Sequence, residues 1–239
     1  MSSQPQLRED ESPAQFESAG ANSSIIVYFL ILCLAGGLGA PSGIAALPIG
    51  FFLKDNLHLS PVDLAVFVAI TGAPACVGFL LGFARDRFRP RRMGDRAYLL
   101  AGALLAIAAY GYLATGPITY ASLLYATLVA AIAYLIIAAA GQALMTGVAQ
   151  NRLMSGRLSV IGGVGTYAPA VVSSLAGGWL VANVAPGVTF FIAAAVTAII
   201  GVQALWRQRD VIAFDLIRNQ DETGVAAIGR LIRYRAIWP

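Results

Sequence analysis

Charge is what this chain has least of. Only 12% of its 239 residues are Asp, Glu, Lys or Arg, where a soluble domain carries roughly 25%. It has one histidine, His58, and one lysine, Lys54. No Asp, Glu, Lys, Arg or His falls between residues 97 and 151, or between 158 and 206. Hydrophobic residues make up 58% of the chain and the mean hydropathy is +0.74. Such a chain cannot cover a globule with polar surface, so its solvent is a membrane. The scarcity also argues against an enzyme. There is no H-E-x-x-H, no G-x-S-x-G and no pair of acids inside an apolar run. The two cysteines, Cys33 and Cys76, offer neither a disulfide framework nor a metal spacing, and both read as buried free thiols. No cofactor and no metal is expected. The pI near 9.3 does not imply nucleic acid, because the basic residues form short clusters between apolar runs.

What is present is length. About twenty helical residues cross a bilayer core of ~30 Å. Six stretches qualify: 25–53, 61–83, 97–116, 119–149, 158–182 and 187–206. The fold class is therefore all-α, a polytopic membrane protein of six transmembrane helices. Residues 1–24 are polar and acidic and read as a disordered cytoplasmic N-terminus. They lack the positive start and short apolar core of a signal peptide. Residues 25–206 form the bundle, and 207–239 form a cytoplasmic linker or tail.

The cations fix the orientation. Fifteen of the sixteen fall before the first span or after the second, fourth and sixth; Lys54 alone lies on the other side. Positive charge stays in the cytoplasm during insertion, so both termini are expected there, most simply in the inner or plasma membrane. In "LSPVD", Ser60 reads as an N-cap, Pro61 as the first helical residue and Asp63 as an acid at the positive helix end. Pro117 and Pro186 mark the other outer turns, and Trp179 and Trp206 sit near span ends, as aromatic belts do.

Six arginines crowd between Arg85 and Arg96, after the second span. Gly82, Asp86, Arg87, Arg91 and Arg92 spell G-x-x-x-D-R-x-x-x-R-R. This resembles the signature loop of the major facilitator superfamily at the same place. The stretch "PIGFFLKDNLHLSP" at 48–61, followed by "ITGAP", resembles the folate–biopterin transporter branch. The resemblance implies two six-helix halves facing each other across a solute site, with this chain as the N-terminal half. It implies two inverted three-helix repeats, 25–116 and 119–206. It also implies that Asp86 latches a cytoplasmic helix end of the other half; the plainer role for Asp86 is a solvated loop charge. "RLIRYRAIWP" reads as the approach to a seventh span that does not follow, so the chain reads as a truncated or split transporter. Its expected partners are membrane lipids, a small organic solute and either a separate C-terminal half or a second copy of itself. The competing reading is a non-transporting interaction or assembly protein.

Inside the spans, Gly36, Gly37, Gly39 and Gly43 give the first helix a bare face, and Pro41 and Pro48 invite kinks. Packing is the first reading of that face; a broken helix lining a solute path is the second. The fifth span repeats the theme with Gly162, Gly163, Gly165, Pro169, Gly177 and Gly178. Gln142, with Tyr28, Tyr134 and Tyr167, either makes interhelical hydrogen bonds or lines a polar cavity suited to a flat heterocycle such as a pterin. Lys54, Asp55 and His58 read as a solvated outer loop. At the outer edge of the spans, Asp55, His58 and Asp63 are also the only candidates for the ionisable group of a proton-coupled carrier.

Overall fold

The computed structural model describes residues 13–87 and 94–206; the tail 207–239, residues 1–12 and residues 88–93 lie outside the described residues. Helix follows helix: α1 Pro13–Gly39, α2 Ala46–Phe51 running into a π-helical turn Phe52–Asn56, α3 Pro61–Cys76, α4 Gly78–Arg87, α5 Asp95–Thr115, α6 Tyr120–Asn151, α7 Ser155–Asn183 and α8 Pro186–Leu205. Among the described residues there is no strand. Five stretches have the length and composition to cross a membrane: 61–82, α5, α6, α7 and α8. A shorter apolar helix runs over Ser23–Gly39.

Two expected spans are each broken in the middle. The first stops at Gly39 and resumes at Ala46. The second is interrupted at Val77, three residues after Pro74, whose missing N–H deprives the helix of a bond. Helix α1 already runs over residues 13–24, beginning on a proline whose fixed φ suits a first helical position. Other boundaries follow local chemistry. Ser60 caps α3 by accepting from the Asp63 amide at 3.2 Å, and Pro61 stands at the first position. Thr119 and Ser122 close a reciprocal capping box at the start of α6.

The packing has a regular plan. α1 packs on α7 and α8, α6 packs on α3 and α5, and α5 packs on α8. Exchanging first with fourth, second with fifth and third with sixth spans maps each of these pairings onto another of them or onto itself. Small residues set the distances. A Cβ on Gly102 of α5 would lie 2.7 Å from Ile137 Cγ1 and 2.9 Å from the Ala133 carbonyl of α6. The buried core runs through α5, α6 and α8 on alanine and leucine: Leu99, Ala103, Ala106, Ala130, Ala193 and Ile200 are fully enclosed. The 61–82 stretch stands apart, with 6% of its apolar window buried against 44% for α6 and α8. That exposure corrects one expectation: Cys76 of α3 is exposed, and Cys33 of α1 is only half-buried.

Candidate functional site

The site begins at the break in the first span. Pro41 has no amide hydrogen, so the Gly37 carbonyl loses its helical donor and the chain turns over residues 40–45. The turn is held by Gly43 N–H donating to the Ala40 carbonyl (2.7 Å) and Ile44 N–H donating to the Leu38 carbonyl (2.9 Å). Gly43 is required here, because a Cβ would run into the carbonyls of Leu38 and Gly37. The carbonyl of Gly39 takes a hydrogen bond from the Tyr110 hydroxyl of α5 at 2.8 Å. A buried tyrosine thus satisfies one backbone group beside the break, as an apolar environment demands.

Beside the break lies a cavity of about 790 Å³, within the range of small-molecule sites. Four walls enclose it. Gly36, Pro41, Ser42 and Gly50 come from the broken first span, and Phe67, Thr71 and Gly72 from α3. Thr127, Tyr134, Gly141 and Gln142 come from α6, and Gly165, Thr166 and Pro169 from α7. Neither α5 nor α8 contributes. Tyr134 spends its hydroxyl on Thr197 of α8, 2.6 Å away. Thr71 and Thr166 donate to the carbonyls of Phe67 and Gly162, each at 2.9 Å. Among the described residues, no Asp, Glu, Lys, Arg or His lines the cavity. It is a neutral space with scattered hydroxyls, one amide and much bare backbone.

Glycine does two different things here. Gly37 packs against Pro169, where a Cβ would lie 2.7 Å from the ring, and Gly165 packs against Cys33. Those two positions let α1 and α7 touch. Gly36, Gly50 and Gly72 also line the cavity, but nothing stands within 4 Å of where a Cβ would be. They leave space that a side chain would take.

The four residues grouped as cavity candidates from sequence separate. Tyr134 and Gln142 are in the wall, Gln142 exposed. Tyr28 lies outside it. It faces α8, where its hydroxyl donates to the Gln203 carbonyl (3.5 Å) and its own carbonyl accepts from Gln203 Nε2 (3.4 Å). Tyr167 is 75% exposed on α7 and is not part of the lining. Lys54 and Asp55 stand exposed in the π-helical turn, and His58 is exposed at φ 51° in the connection that follows. Asp63 pairs with its own cap, accepting from Ser60 Oγ at 2.7 Å. None of these four reaches the cavity.

The basic cluster divides too. Gly82, Asp86 and Arg87 belong to the end of α4, with Gly82 open on its Cβ side. The side chains of Asp86 and Arg87, and Arg91 and Arg92 altogether, lie outside the described residues. Two other arginines of the cluster turn inward. Arg85, 8% exposed, donates to the Ala139 carbonyl of α6, and its Nε lies 3.5 Å from the carboxylate of the fully buried Asp95. Arg96 reaches the end of α8, donating to the carbonyls of Ala204 and, at 3.1 Å, Trp206. A cation at a helix C-terminus suits both the unpaired carbonyls and the dipole. Asp95 lies outside the signature spacing that singles out Asp86. Its own signal was available: an acid directly after Gly94, at the start of an apolar helix.

The fold is thus a multi-pass membrane bundle with a neutral cavity between four of its spans. The BT1 family model matches residues 38–232, which takes in the break in the first span, the helices after it and most of the polar tail. No curated protein and no solved structure matches the chain. The match covers most of the sequence, and the chain belongs to the BT1 family, the folate–biopterin transporters.

Proposed function

We propose that the chain carries a folate- or pterin-like solute across the membrane by alternating access, and that the cavity beside the broken first span is its share of the solute path. The observation that carries this reading is the lining: about 790 Å³ bounded by four spans, with bare glycine backbone, hydroxyls and Gln142, and no charge. Interrupted helices lining a midplane site are a recurrent transporter device. The reciprocal helix pairings support two inverted three-helix repeats, as in a facilitator half. The fifteen-to-one charge bias supports cytoplasmic termini. Asp86, at the end of α4, is then the latch of a cytoplasmic gate. The test is uptake of radiolabelled folate and biopterin into proteoliposomes holding the purified chain. Uptake above empty vesicles, competed by unlabelled solute, supports the reading; none for either solute with the facing bundle co-reconstituted removes it.

One observation favours a partner. α3 and α7 flank the cavity, and both are less buried than α5, α6 and α8. They suit a facing bundle, either a separate C-terminal half or a second copy. Cross-linking in native membranes through single cysteines at Val68 and Val171 distinguishes the two by product mass, and a monomer throughout removes the facing-bundle reading.

A further inference from the structure

Most of the polar groups in the cavity wall are already engaged or turned away. Thr71 and Thr166 give their hydroxyls to their own helices, to the Phe67 and Gly162 carbonyls at 2.9 Å. Tyr134 gives its proton to Thr197, whose own goes to the Ala193 carbonyl at 2.7 Å. Thr127 is buried, and its hydroxyl oxygen does not reach the open space. Two side chains differ from these. Ser42, in the turn of the first span, and Gln142 of α6 both line the cavity, and both are exposed. Among the described residues no hydrogen bond engages either side chain.

Their separation follows from the packing. α1 and α6 run antiparallel and in register: Leu32 faces Gly141, and seven residues on, the Tyr134 hydroxyl lies against Gly39. α1 and α7 run parallel: Cys33 meets Gly165, Gly37 meets Pro169, and beyond the turn Ile44 and Leu47 meet Gly177. Ser42 therefore lies past the level of Gly39, between the heights of Pro169 and Gly177. Gln142 lies near the height of Leu32, eight residues along α6 from Tyr134. At ~1.5 Å per residue, about 12 Å of bundle axis separates the two points. A single fused ring is too short to bridge them. The walls between are mainly apolar side chains and glycine, which suit a flat apolar middle. A polar group of the solute that finds no partner there is costly to bury.

From this we infer that Ser42 and Gln142 are the two hydrogen-bonding ends of the cavity, and that it selects an elongated solute with an uncharged polar group at each end over a bare ring. A pteroyl compound has that form: a lactam ring, a flat aromatic middle and an amide beyond it. A pterin alone reaches one end at a time. The inference rests on the cavity being the solute path, and adds the length of solute it takes and the two residues that measure it.

Three variants of the full chain in lipid nanodiscs test it: Ser42→Ala, Gln142→Met and the two combined. The probes are folate, which carries the pteroyl unit, and biopterin, a ring without it. Each single variant is expected to bind folate roughly fivefold to tenfold more weakly, and the double variant by about the product, since distant contacts add. Biopterin should weaken to a similar degree in one single variant and stay within about twofold of the parent in the other. Folate binding within twofold of the parent by either single variant overturns the two-ended site. So does biopterin weakened by both single variants or by neither. If the parent takes neither probe with the facing bundle co-reconstituted, it is the folate–pterin reading that fails. A ruler that needs no solute then decides the site. Cys33→Ala and Cys76→Ala clear the native thiols, Ser42→Cys with Gln142→Cys supplies two new ones, and bifunctional methanethiosulfonates of graded length probe them. Cross-linking by spacers of about 12 Å, and not by those half as long, supports the site. Joining by the short spacer overturns it, and so does a failure of either new thiol to react with a water-soluble reagent.

Discussion

The two sides of this bundle are made from the same few residues and arrive at opposite results. On one side α5, α6 and α8 close on each other until backbone meets backbone. Gly102 lies against the Ala133 carbonyl, Gly187 against the Ala114 carbonyl, Gly201 against Ala103. On the other side the broken first span, α3 and α7 stand around an open space, and Gly36, Gly50 and Gly72 face into it. Glycine composition does not separate a seam from a wall. What separates them is whether a second helix occupies the bare face, and in a membrane no hydrophobic drive forces it to. A packed seam makes a rigid scaffold, while an unfilled wall leaves room for a guest.

The contrast can be broken most severely at the charged end, where the scaffold holds the second span. Asp95→Ala removes the carboxylate beside the buried Arg85 guanidinium. Losing one partner of a buried pair costs about 3–5 kcal/mol, so the variant should show a large fall in melting temperature in detergent. Replacing both together, Arg85→Met with Asp95→Leu, should recover much of the loss. Next comes the seam. Gly102→Val places a side chain where Ile137 and the Ala133 carbonyl already are, and overpacking of this kind costs about 1–3 kcal/mol. Thermal melting should fall accordingly. The same test on the wall sharpens the comparison: a Cβ on Gly36 has nothing within 4 Å, so Gly36→Leu has room to begin its side chain in the cavity. It should melt with the parent yet take up little solute, because its side chain occupies the cavity. Equal destabilisation at Gly36 and Gly102 would erase the distinction between wall and seam. The smallest effect belongs to the outer end of α3, where Ser60→Ala removes a cap worth roughly 1 kcal/mol, read as earlier exchange of the Asp63 amide.

The bundle was legible in the sequence because spans are written in long apolar runs, punctuated by cap chemistry that needs no tertiary context. Ser60, Pro61 and Asp63 could be placed residue by residue. Pro41 announced a break in the first span, although not that the chain would turn over six residues and resume through a π-helical turn. The site was far less legible. Tyr28 and Tyr134 look alike in sequence. Which one reaches the cavity is decided by Gln203 and Thr197, which are 175 and 63 residues away respectively. The glycines announced bare faces, but which of them would be covered is a property of the assembled bundle. Among the described residues the buried acid is Asp95, which the signature spacing does not single out.

The neutrality of the cavity wall has an electrical meaning. Moving one elementary charge through the membrane field is worth ~2.3 kcal/mol per 100 mV. Among the described residues, the helices around this cavity bring no ionisable side chain to its lining, so a solute within it meets no fixed charge. Inside these walls the membrane field acts on whatever charge the solute itself brings.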